Sequence, residues 1–439
     1  MLVATGFAWC GQRLRTGPLR RVERDETAAM LWRCSARVVA IVVVILATAC
    51  AAPPTVSEPA TPESAPFSAP AATAVDLDAV CADPGSCLVL LATVIDGTGA
   101  AALPDGAVVI LGERIIAVGR RNELSIPAQV QAIELTGATI LPGFINAHVH
   151  NAYNERNLRL WAQEGVTTVR DEGERLGFPY FSTRDRLRAD PQNAWLISAG
   201  PLVTVPKGYP IAGNDFASLT VTSPEDAREK VSRLIDDGAE LIKITLTSGE
   251  PPSLSAAEAA AIVDTAHERG VPVSAHATSA RNVQRALDAG VDDVAHLATD
   301  RVSDALIRQM VRMGVYWVPT LEALRGGGAG NLQRFVAAGG GVALGNDGGY
   351  LSGLEIGMPL NEIRAMRQAG MTPMQIIVAA TRDAARVCRQ DTTLGTLEAG
   401  KFADVLVVDG DPLQDLESLA RVRMVIHRGV VIRDEHKAD

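Results

Sequence analysis

Six side chains of metal-binding types stand at the ends of separate apolar runs in the sequence. They are His148, His150, Lys243, His276, His296 and Asp347. The chain has only seven histidines, and four of them belong to this set. Imidazole and carboxylate groups are ligands that divalent transition metals take in proteins. The set therefore predicts one metal-dependent active site that is assembled from much of the chain.

The spacing of these residues supports a common site. His148 and His150 are two apart on one predicted strand, so their side chains point to the same face. The stretch from His276 to His296 has the length of one strand–helix–strand step, which places them on neighbouring strands. Lys243 differs, because an ammonium group has no lone pair to offer a metal. It would bind only if it were deprotonated or converted by CO2 to a carbamate.

Residues 141–390 must provide the strands that position this site. Eight short apolar runs predict parallel strands covered on both faces: 144–150, 166–170, 195–198, 241–245, 271–276, 293–296, 316–319 and 342–345. Helices are predicted between most of them, one beginning at Ser223 with Pro224 next and another running from Ser255 to Arg269. This α/β alternation over about 250 residues predicts a (β/α)8 TIM-like barrel, whose active site lies where the strands end.

The segments on either side of this barrel have a different pattern. Residues 76–140 and 391–435 consist of short apolar runs separated by Gly, Asp and Asn turns, which is typical of strands. We therefore predict a small β-sandwich domain formed by segments from both ends of the chain, with the barrel of residues 141–390 between them.

Residues 1–50 are predicted to be an export leader. The apolar run 38–49 is shorter than the roughly 20 residues that span a bilayer and suits a secretory signal. Residues 46–50, LATAC, resemble a bacterial lipobox, which implies lipidation of Cys50; a plain signal peptide or an uncleaved anchor is the alternative. Translation begins at either Met1 or Met30, and residues 51–75, rich in Ala, Pro, Ser and Thr, predict a disordered tether.

The cysteines are consistent with export of the protein. Cys81 and Cys87 bracket a turn-prone loop and are predicted to form a disulfide in an oxidising compartment, with two free thiols as the alternative. Cys388 is predicted to be buried rather than reactive. We expect a protein of the bacterial cell envelope, either anchored to the membrane by an N-terminal lipid or periplasmic or secreted.

Composition argues against one class of partner. The 439 residues carry a net charge of −10, aromatic residues make up 4%, and no dense basic patch follows the leader. Nucleic acid is therefore excluded as a partner, and a small-molecule substrate is expected. Whether the chain forms a homo-oligomer is left open.

Four segments carry a resemblance to a known family: residues 141–150 (LPGFINAHVH), 165–171 (GVTTVRD), 379–387 (AATRDAARV) and 394–412 (LGTLEAGKFADVLVVDGDP). They resemble the metal-dependent amidohydrolase superfamily, in its imidazolonepropionase-like and Xaa-Pro-dipeptidase-like branch. Two positions depart from the family pattern: Asn146 stands where Asp is common, and Asn346 stands where a hydroxyl residue is common.

The resemblance implies a role for each residue of the set. It implies two divalent ions, with zinc favoured and manganese or iron as alternatives. His148, His150 and Asp347 would bind the more buried ion, and His276 and His296 the second. A carboxylated Lys243 would bridge the two ions; a mononuclear site without Lys243 is the alternative. A metal-bridging hydroxide would attack the substrate carbonyl, and Asp347 would transfer the proton.

The implied reaction is hydrolysis of an amide-type C–N bond in a dipeptide, an N-acyl amino acid or a cyclic amide. Lys207, Tyr209 and Tyr350 are candidates for binding a substrate carboxylate. Arg170 and Asp171 are predicted to form a buried structural pair below the site. Two alternatives stay open: an ester, lactone or carbamate hydrolase that uses the same metals, and a tethered binding lipoprotein without catalysis.

Overall fold

The structure is a computed structural model of the chain. It describes residues 76–83, 85–130, 132–174, 177–210, 218–249, 251–349 and 353–435. The predicted leader and tether, Cys50 and Tyr350 lie outside the described residues. Within those ranges, no helix has both the length and the apolar character needed to cross a membrane.

The two ends of the described chain meet in one seven-stranded sheet. Its strands are β1 Cys87–Val94, β2 Leu103–Leu111, β3 Arg114–Arg120, β4 Ala132–Pro142, β14 Val405–Asp409, β15 Val422–His427 and β16 Val430–Asp434, in the order β16-β15-β14-β4-β1-β2-β3. Strand β4 pairs with β1 in parallel on one side and with β14 antiparallel on the other. The expected pairing of the chain ends is therefore observed. The second layer of a sandwich stays a prediction.

Both faces of this sheet are covered. Leu90 and Val108 belong to one buried apolar cluster, and Val89 and Val109 belong to another, as alternation along β1 and β2 requires. A short helix, α1 Leu77–Val80, precedes β1. The predicted disulfide between Cys81 and Cys87 is formed, with the two Cα atoms 5.5 Å apart, and it ties this helix to the sheet.

The middle of the chain forms parallel strands. They are β5 Phe144–Val149, β6 Val166–Asp171, β7 Trp195–Ser198, β8 Val203–Thr204, β9 Leu219–Thr220, β10 Ile242–Thr245, β11 Val273–His276, β12 Asp293–Ala295 and β13 Tyr316–Val318. They lie in two sheets, β5-β6-β7 and β13-β12-β11-β10-β8-β9. Each strand predicted between residues 144 and 319 is present within two residues of its predicted bounds. The short strands β8 and β9 were not predicted.

The last predicted strand, 342–345, is extended but is not a regular strand. It lies between β13 and β5, because Trp317 N bonds Gly341 O at 3.0 Å and Ala147 N bonds Leu344 O at 2.7 Å. Between β7 and β10, Glu240 N bonds Ser198 O at 2.9 Å. The regular strands among the described residues do not form a closed ring. The closure of the (β/α)8 barrel therefore stays a prediction.

Helices connect the parallel strands and cover them. They are α2 Glu155–Gln163, α3 Tyr180–Arg188, α4 Pro224–Asp236, α5 Ala256–Glu268, α6 Ala280–Ala289, α7 Asp304–Met313, α8 Ala329–Ala337, α9 Leu360–Gln368, α10 Pro373–Ala380 and α11 Arg382–Val387. The predicted start of α4 is confirmed, because the Ser223 side chain accepts a hydrogen bond from Asp226 N. Ser255 and Glu258 form a capping box on α5. Cys388, at the end of α11, is buried as predicted.

Candidate metal centre

The carboxyl ends of the parallel strands bring the predicted histidines and Asp347 together. His148 lies near the end of β5 and His150 follows it, His276 ends β11, and His296 follows β12. The ring centroids of His148 and His296 are 4.9 Å apart, and those of His276 and His296 are 4.6 Å apart. Residues from distant parts of the chain therefore share one location, as the sequence predicted.

Three of these residues form the tightest part of the centre. Ligand atoms of His148, His150 and Asp347 all lie within 4.8 Å of one another. Asp347 Oδ1 is 3.2 Å from His148 Nε2 and 3.1 Å from His150 Nε2. When the two imidazoles are neutral, their nitrogens and the carboxylate oxygen present lone pairs to each other, and a cation between them would satisfy all three.

Hydrogen bonds fix two of the histidine rings. His150 Nδ1 lies 2.9 Å from Gly173 O, to which it donates, so that Nε2 carries the lone pair in the neutral ring. His296 Nδ1 lies 2.8 Å from the Thr320 hydroxyl oxygen. Such outer contacts hold a ring in the orientation that a metal requires. Neither Gly173 nor Thr320 was identified from the sequence.

His148 provides the test of whether a metal fits. It is fully buried, and neither ring nitrogen has a hydrogen-bond partner among the described residues. Its Nε2 approaches Asp347 without the geometry of a hydrogen bond. Buried polar atoms without partners are rare and call for an explanation. A divalent ion at Nε2 supplies one, and the donor set of two imidazoles and a carboxylate suits zinc.

The electrostatics of the centre favour neutral histidines at most positions. Burial, followed by the charge of Lys243, lowers the pKa of His148 to about 4 and that of His276 to about 3. Burial also lowers the pKa of His150, but the hydrogen bond and charge of Asp347 outweigh it and raise the pKa to about 9. A proton on His150 and a metal ion would therefore compete for the same carboxylate.

The backbone at two ligands turns sharply. His296 has φ 69° and Asp347 has φ 62°, a left-handed conformation that non-glycine residues adopt uncommonly and that clusters at functional sites. Glycines permit the close approach of neighbouring segments. A Cβ on Gly345 would lie 2.7 Å from His148 Cβ, and one on Gly349 would lie 2.0 Å from His150 O. Larger residues at these positions would push β5 away from Asp347.

The two positions that depart from the family pattern contact each other. Asn146 Nδ2 donates to Asn346 Oδ1 at 2.8 Å, and Gly348 N donates to the same oxygen at 3.1 Å. Asn346 Nδ2 in turn donates to Glu322 Oε2 at 2.9 Å. The paired asparagines thus fix the turn that carries Asp347, and neither one reaches the centre as a ligand in the described contacts.

Lys243 is buried, and its charge acts on His148 and His276, but its amine has a partner that was not predicted. Nζ donates to Glu172 Oε2, and both side chains are almost completely buried. Glu172 Oε1 lies 2.7 Å from Arg170 Nη2. Burial raises the pKa of Glu172, but the charges of Arg170 and Lys243 outweigh burial and hold it below its usual range. The carbamate on Lys243 stays a prediction.

The predicted pairing of Arg170 with Asp171 is wrong. Successive residues of a strand point to opposite faces, so these side chains diverge. Arg170 instead binds Asp293 through two nitrogens at 2.9 and 3.0 Å, and its Nε donates to Ala147 O at 2.7 Å. Asp171 accepts hydrogen bonds from Ala152 N and Gly173 N, both at 3.0 Å. The buried structural pair is therefore Arg170 with Asp293.

Two of the predicted substrate residues lie on the loop after β8. The ring of Tyr209 stacks on that of His276, with centroids 4.7 Å apart, and the side chain is partly open to solvent. Lys207 is exposed. Tyr209 therefore borders the centre, which places it where a substrate would enter.

A concave region lies at the other end of the parallel strands. It has a volume of about 500 Å³ and is lined in part by Tyr316, Val342, Met371 and Arg386. The one group of metal-ligating side chains found in the described residues is His148, His150 and Asp347, none of which lines this cavity. The candidate metal ligands are therefore at the carboxyl ends of the strands.

Comparisons with known proteins show what this chain resembles. The Amidohydrolase family profile matches residues 139–432. The chain is 24% identical over 396 residues to an imidazolonepropionase of Symbiobacterium thermophilum, covering 77% of this chain and 92% of the relative. Among solved structures, it resembles a Xaa-Pro dipeptidase with bound methionine in the active site (TM-score 0.70, 25% identity, 79% of this chain and 99% of the other). It also resembles a putative prolidase from Bifidobacterium longum (TM-score 0.67, 29% identity, 79% and 94%). These neighbours imply a TIM-barrel-like α/β fold for the middle of the chain.

Proposed function

The chain belongs to the amidohydrolase family and is a hydrolase acting on C–N bonds, and we propose that it cleaves an amide-type bond of a small molecule at the metal centre. The observation that carries the proposal is the convergence of four histidines and Asp347 from separate strands. The proposed substrates are a dipeptide, an N-acyl amino acid or a cyclic amide. The relatives named imidazolonepropionase and Xaa-Pro dipeptidase support a substrate of this size.

Each residue of the centre has a proposed task. His148, His150 and Asp347 would hold a divalent ion, which would supply the acidity that turns water into hydroxide near neutral pH and polarises the carbonyl. Gly173 O keeps the His150 ring oriented. Asp347, whose pKa is held well below its usual value by the two histidines although burial raises it, is a carboxylate. It would accept the proton of the attacking water and give it to the leaving nitrogen.

The number of ions depends on Lys243. The family resemblance favours two ions, the second held by His276 and His296 and bridged to the first by a carboxylated Lys243. The ion pair between Lys243 and Glu172 favours one ion instead, because a nitrogen in that contact has no free lone pair. Zinc is the favoured ion in either arrangement, with manganese and iron as alternatives.

The loop after β8 supplies a means of recognising the substrate. Tyr209 covers His276 with its ring, and Lys207 lies two residues before it on the same exposed loop. We propose that Lys207 binds the carboxylate of a dipeptide or N-acyl amino acid, because an exposed ammonium group can pair with it at the mouth of the centre. The third predicted residue, Tyr350, lies outside the described residues.

The reaction is tested by a substrate panel. Purified protein is assayed with dipeptides including Xaa-Pro, N-acyl amino acids, cyclic amides, aryl esters and lactones. Cleavage of an amide that is lost in His276→Ala, with metal content measured in both proteins, supports the proposal. Faster turnover of esters or lactones than of every amide would favour the alternative hydrolase. A protein that binds no metal and cleaves nothing would favour the tethered binding lipoprotein.

Lys207 is tested with paired substrates. Lys207→Ala should raise KM for a dipeptide by about tenfold, the effect of losing roughly one charge-assisted contact, while KM for the same dipeptide with an amidated carboxyl terminus stays unchanged. The Lys207→Arg variant keeps the positive charge; it is the matched control and should retain the preference. An equal rise for both substrates in Lys207→Ala would contradict the role.

We also propose that the protein works in the bacterial cell envelope. The leader pattern, the LATAC segment and the tether support export and lipidation of Cys50, and the Cys81–Cys87 disulfide suits an oxidising compartment. Labelling of expressing cells with a fatty-acid analogue should mark the wild-type protein and leave Cys50→Ser unlabelled. Size measurement of the protein without its lipid would decide whether it forms a homo-oligomer.

A further inference from the structure

Glu172 contacts Lys243 Nζ, the nitrogen on which a carbamate would form. The Lys243 amine donates to Glu172 Oε2, and both side chains are almost fully excluded from solvent. Glu172 was not among the residues predicted from the sequence. It follows β6, on the face of that strand from which Arg170 also projects, because the two residues are two apart.

The position of Glu172 is fixed from its other side. Its Oε1 lies 2.7 Å from Arg170 Nη2, and this guanidinium is held by Asp293 at 2.9 and 3.0 Å and by Ala147 O at 2.7 Å. Glu172 therefore cannot turn away from Lys243 without leaving Arg170. The contact between Lys243 and Glu172 belongs to a buried network of ion pairs.

Carboxylation of Lys243 would place two anions in this contact. The ammonium group first gives one proton to water, which exposes the lone pair of Nζ. Nζ then bonds to the carbon of CO2, one C=O bond opens to give an oxyanion, and Nζ releases a second proton to water. A cation that faces Glu172 thereby becomes an anion that faces Glu172. Two carboxylates that share a buried site disfavour each other's ionised form. The network around Glu172 is thus built for a lysine that keeps its positive charge.

We propose that Glu172 holds Lys243 as an unmodified amine and thereby limits the centre to one divalent ion, bound by His148, His150 and Asp347. This inference rests on the proposed function, since it concerns the metal of that same centre. Glu172 is a positioning residue: it acts through Lys243. Removing its charge frees the lysine for CO2 and creates the bridging ligand that a second ion needs.

The first test measures the wild-type protein directly. Apoprotein is reconstituted with excess Zn²⁺, with and without bicarbonate, and bound metal and intact mass under non-denaturing conditions are recorded. We expect one equivalent of zinc in both buffers and no added mass of CO2. Two equivalents together with the mass of one CO2 would overturn the inference and leave the proposed function intact. No bound metal in either buffer would overturn both.

The second test removes the charge of Glu172 without changing its shape. With bicarbonate, Glu172→Gln should bind two equivalents of zinc and gain the mass of one CO2, and both gains should disappear in Glu172→Gln/Lys243→Arg.

Glu362→Gln is the matched control, since Glu362 is equally buried and contacts Leu321 N and Glu322 N instead. It should stay at one equivalent of zinc. A folded Glu172→Gln that stays at one equivalent without added mass would overturn the inference. If that variant does not fold, the wild-type measurement decides.

Discussion

Two buried polar groups in the parallel strands differ in how well their atoms are satisfied. Strand β12 contributes to both: Asp293 begins it and His296 follows it. In the ion pair of Arg170 and Asp293, every guanidinium nitrogen has an acceptor, and Ser274 donates a further bond to Asp293 Oδ1 at 2.8 Å. In the metal centre, His148 has no hydrogen-bond partner among the described residues. We therefore expect the satisfied group to contribute mainly to stability and the unsatisfied group to contribute mainly to the proposed reaction.

The largest expected effect concerns activity and comes from the metal centre. Asp347→Ala removes both a metal ligand and the proposed proton acceptor, so kcat should fall by about 10²–10⁴-fold. Steady-state assays with the best substrate of the panel, together with zinc content, measure the effect. Asp404→Asn is the control, because Asp404 is also buried but accepts a bond from Arg428 N at 2.8 Å outside the centre. Full activity in Asp347→Ala would remove the centre from the reaction.

The next effect concerns stability and comes from the satisfied group. Arg170→Met leaves Asp293 buried without its partner, and the free energy of unfolding should fall by about 3–5 kcal/mol. Urea unfolding of the metal-free protein measures this loss. Arg170→Met/Asp293→Leu should recover part of it, because no uncompensated charge then remains in the interior. A double variant that is no more stable than the single one would break the contrast between the two groups.

Glu362 should show an intermediate effect that depends on pH. Burial raises its pKa to about 8, although it accepts hydrogen bonds from Leu321 N at 2.9 Å and Glu322 N at 2.6 Å. The folded state therefore holds a proton that the unfolded chain, with a pKa of about 4.3, releases. This contribution to the free energy of unfolding is complete at low pH and is lost as pH rises toward 8.

Glu362→Gln isolates this contribution. The variant carries no titrating group at this position, so its stability relative to wild type should increase by about 3.5 kcal/mol between pH 5 and pH 8. Urea unfolding at a series of pH values measures the difference. Parallel stability curves for the two proteins would show that Glu362 has the same pKa in the folded and unfolded states.

The smallest effect is expected at the surface. Arg233 pairs with Glu229 on α4, and their side chains are 72% and 60% exposed. Arg233→Ala should change the free energy of unfolding by less than about 0.5 kcal/mol, because solvent and salt screen such pairs. The same urea experiment measures it. A loss comparable with that of Arg170→Met would mean that burial does not distinguish the ion pairs of this protein.

Much of the fold could be predicted because local signals and tertiary structure agree. The parallel strands are short apolar runs that are buried on both faces, and the caps Ser223 and Ser255 mark where α4 and α5 begin. The segment 342–345 shows where a local signal is insufficient. Its neighbours Gly341 and Gly345 allow close contact with β13 and β5, and a regular ladder is replaced by individual backbone bonds.

The sequence predicted the residue types of the candidate site. It did not predict which charged side chains pair with each other. Glu172 was overlooked although it follows Arg170 by two residues and precedes Gly173 at the end of an apolar run. That spacing indicates a shared face of the strand. The sequence could not reveal that Glu172 meets Lys243, because 71 residues separate them and β6 and β10 are not neighbours in a sheet.

The seven-stranded sheet also bears on how the polypeptide is made. Thr139 on β4 donates to Gly410 O at 2.6 Å, across 271 residues of sequence. During synthesis, β4 therefore keeps one hydrogen-bonding edge open until β14 has left the ribosome. Strand β5 follows β4 directly through Gly143. The segment that carries His148 and His150 is therefore fully supported only after β14 has paired with β4. The seven-stranded sheet is therefore complete only after the last strands of the chain have been synthesised.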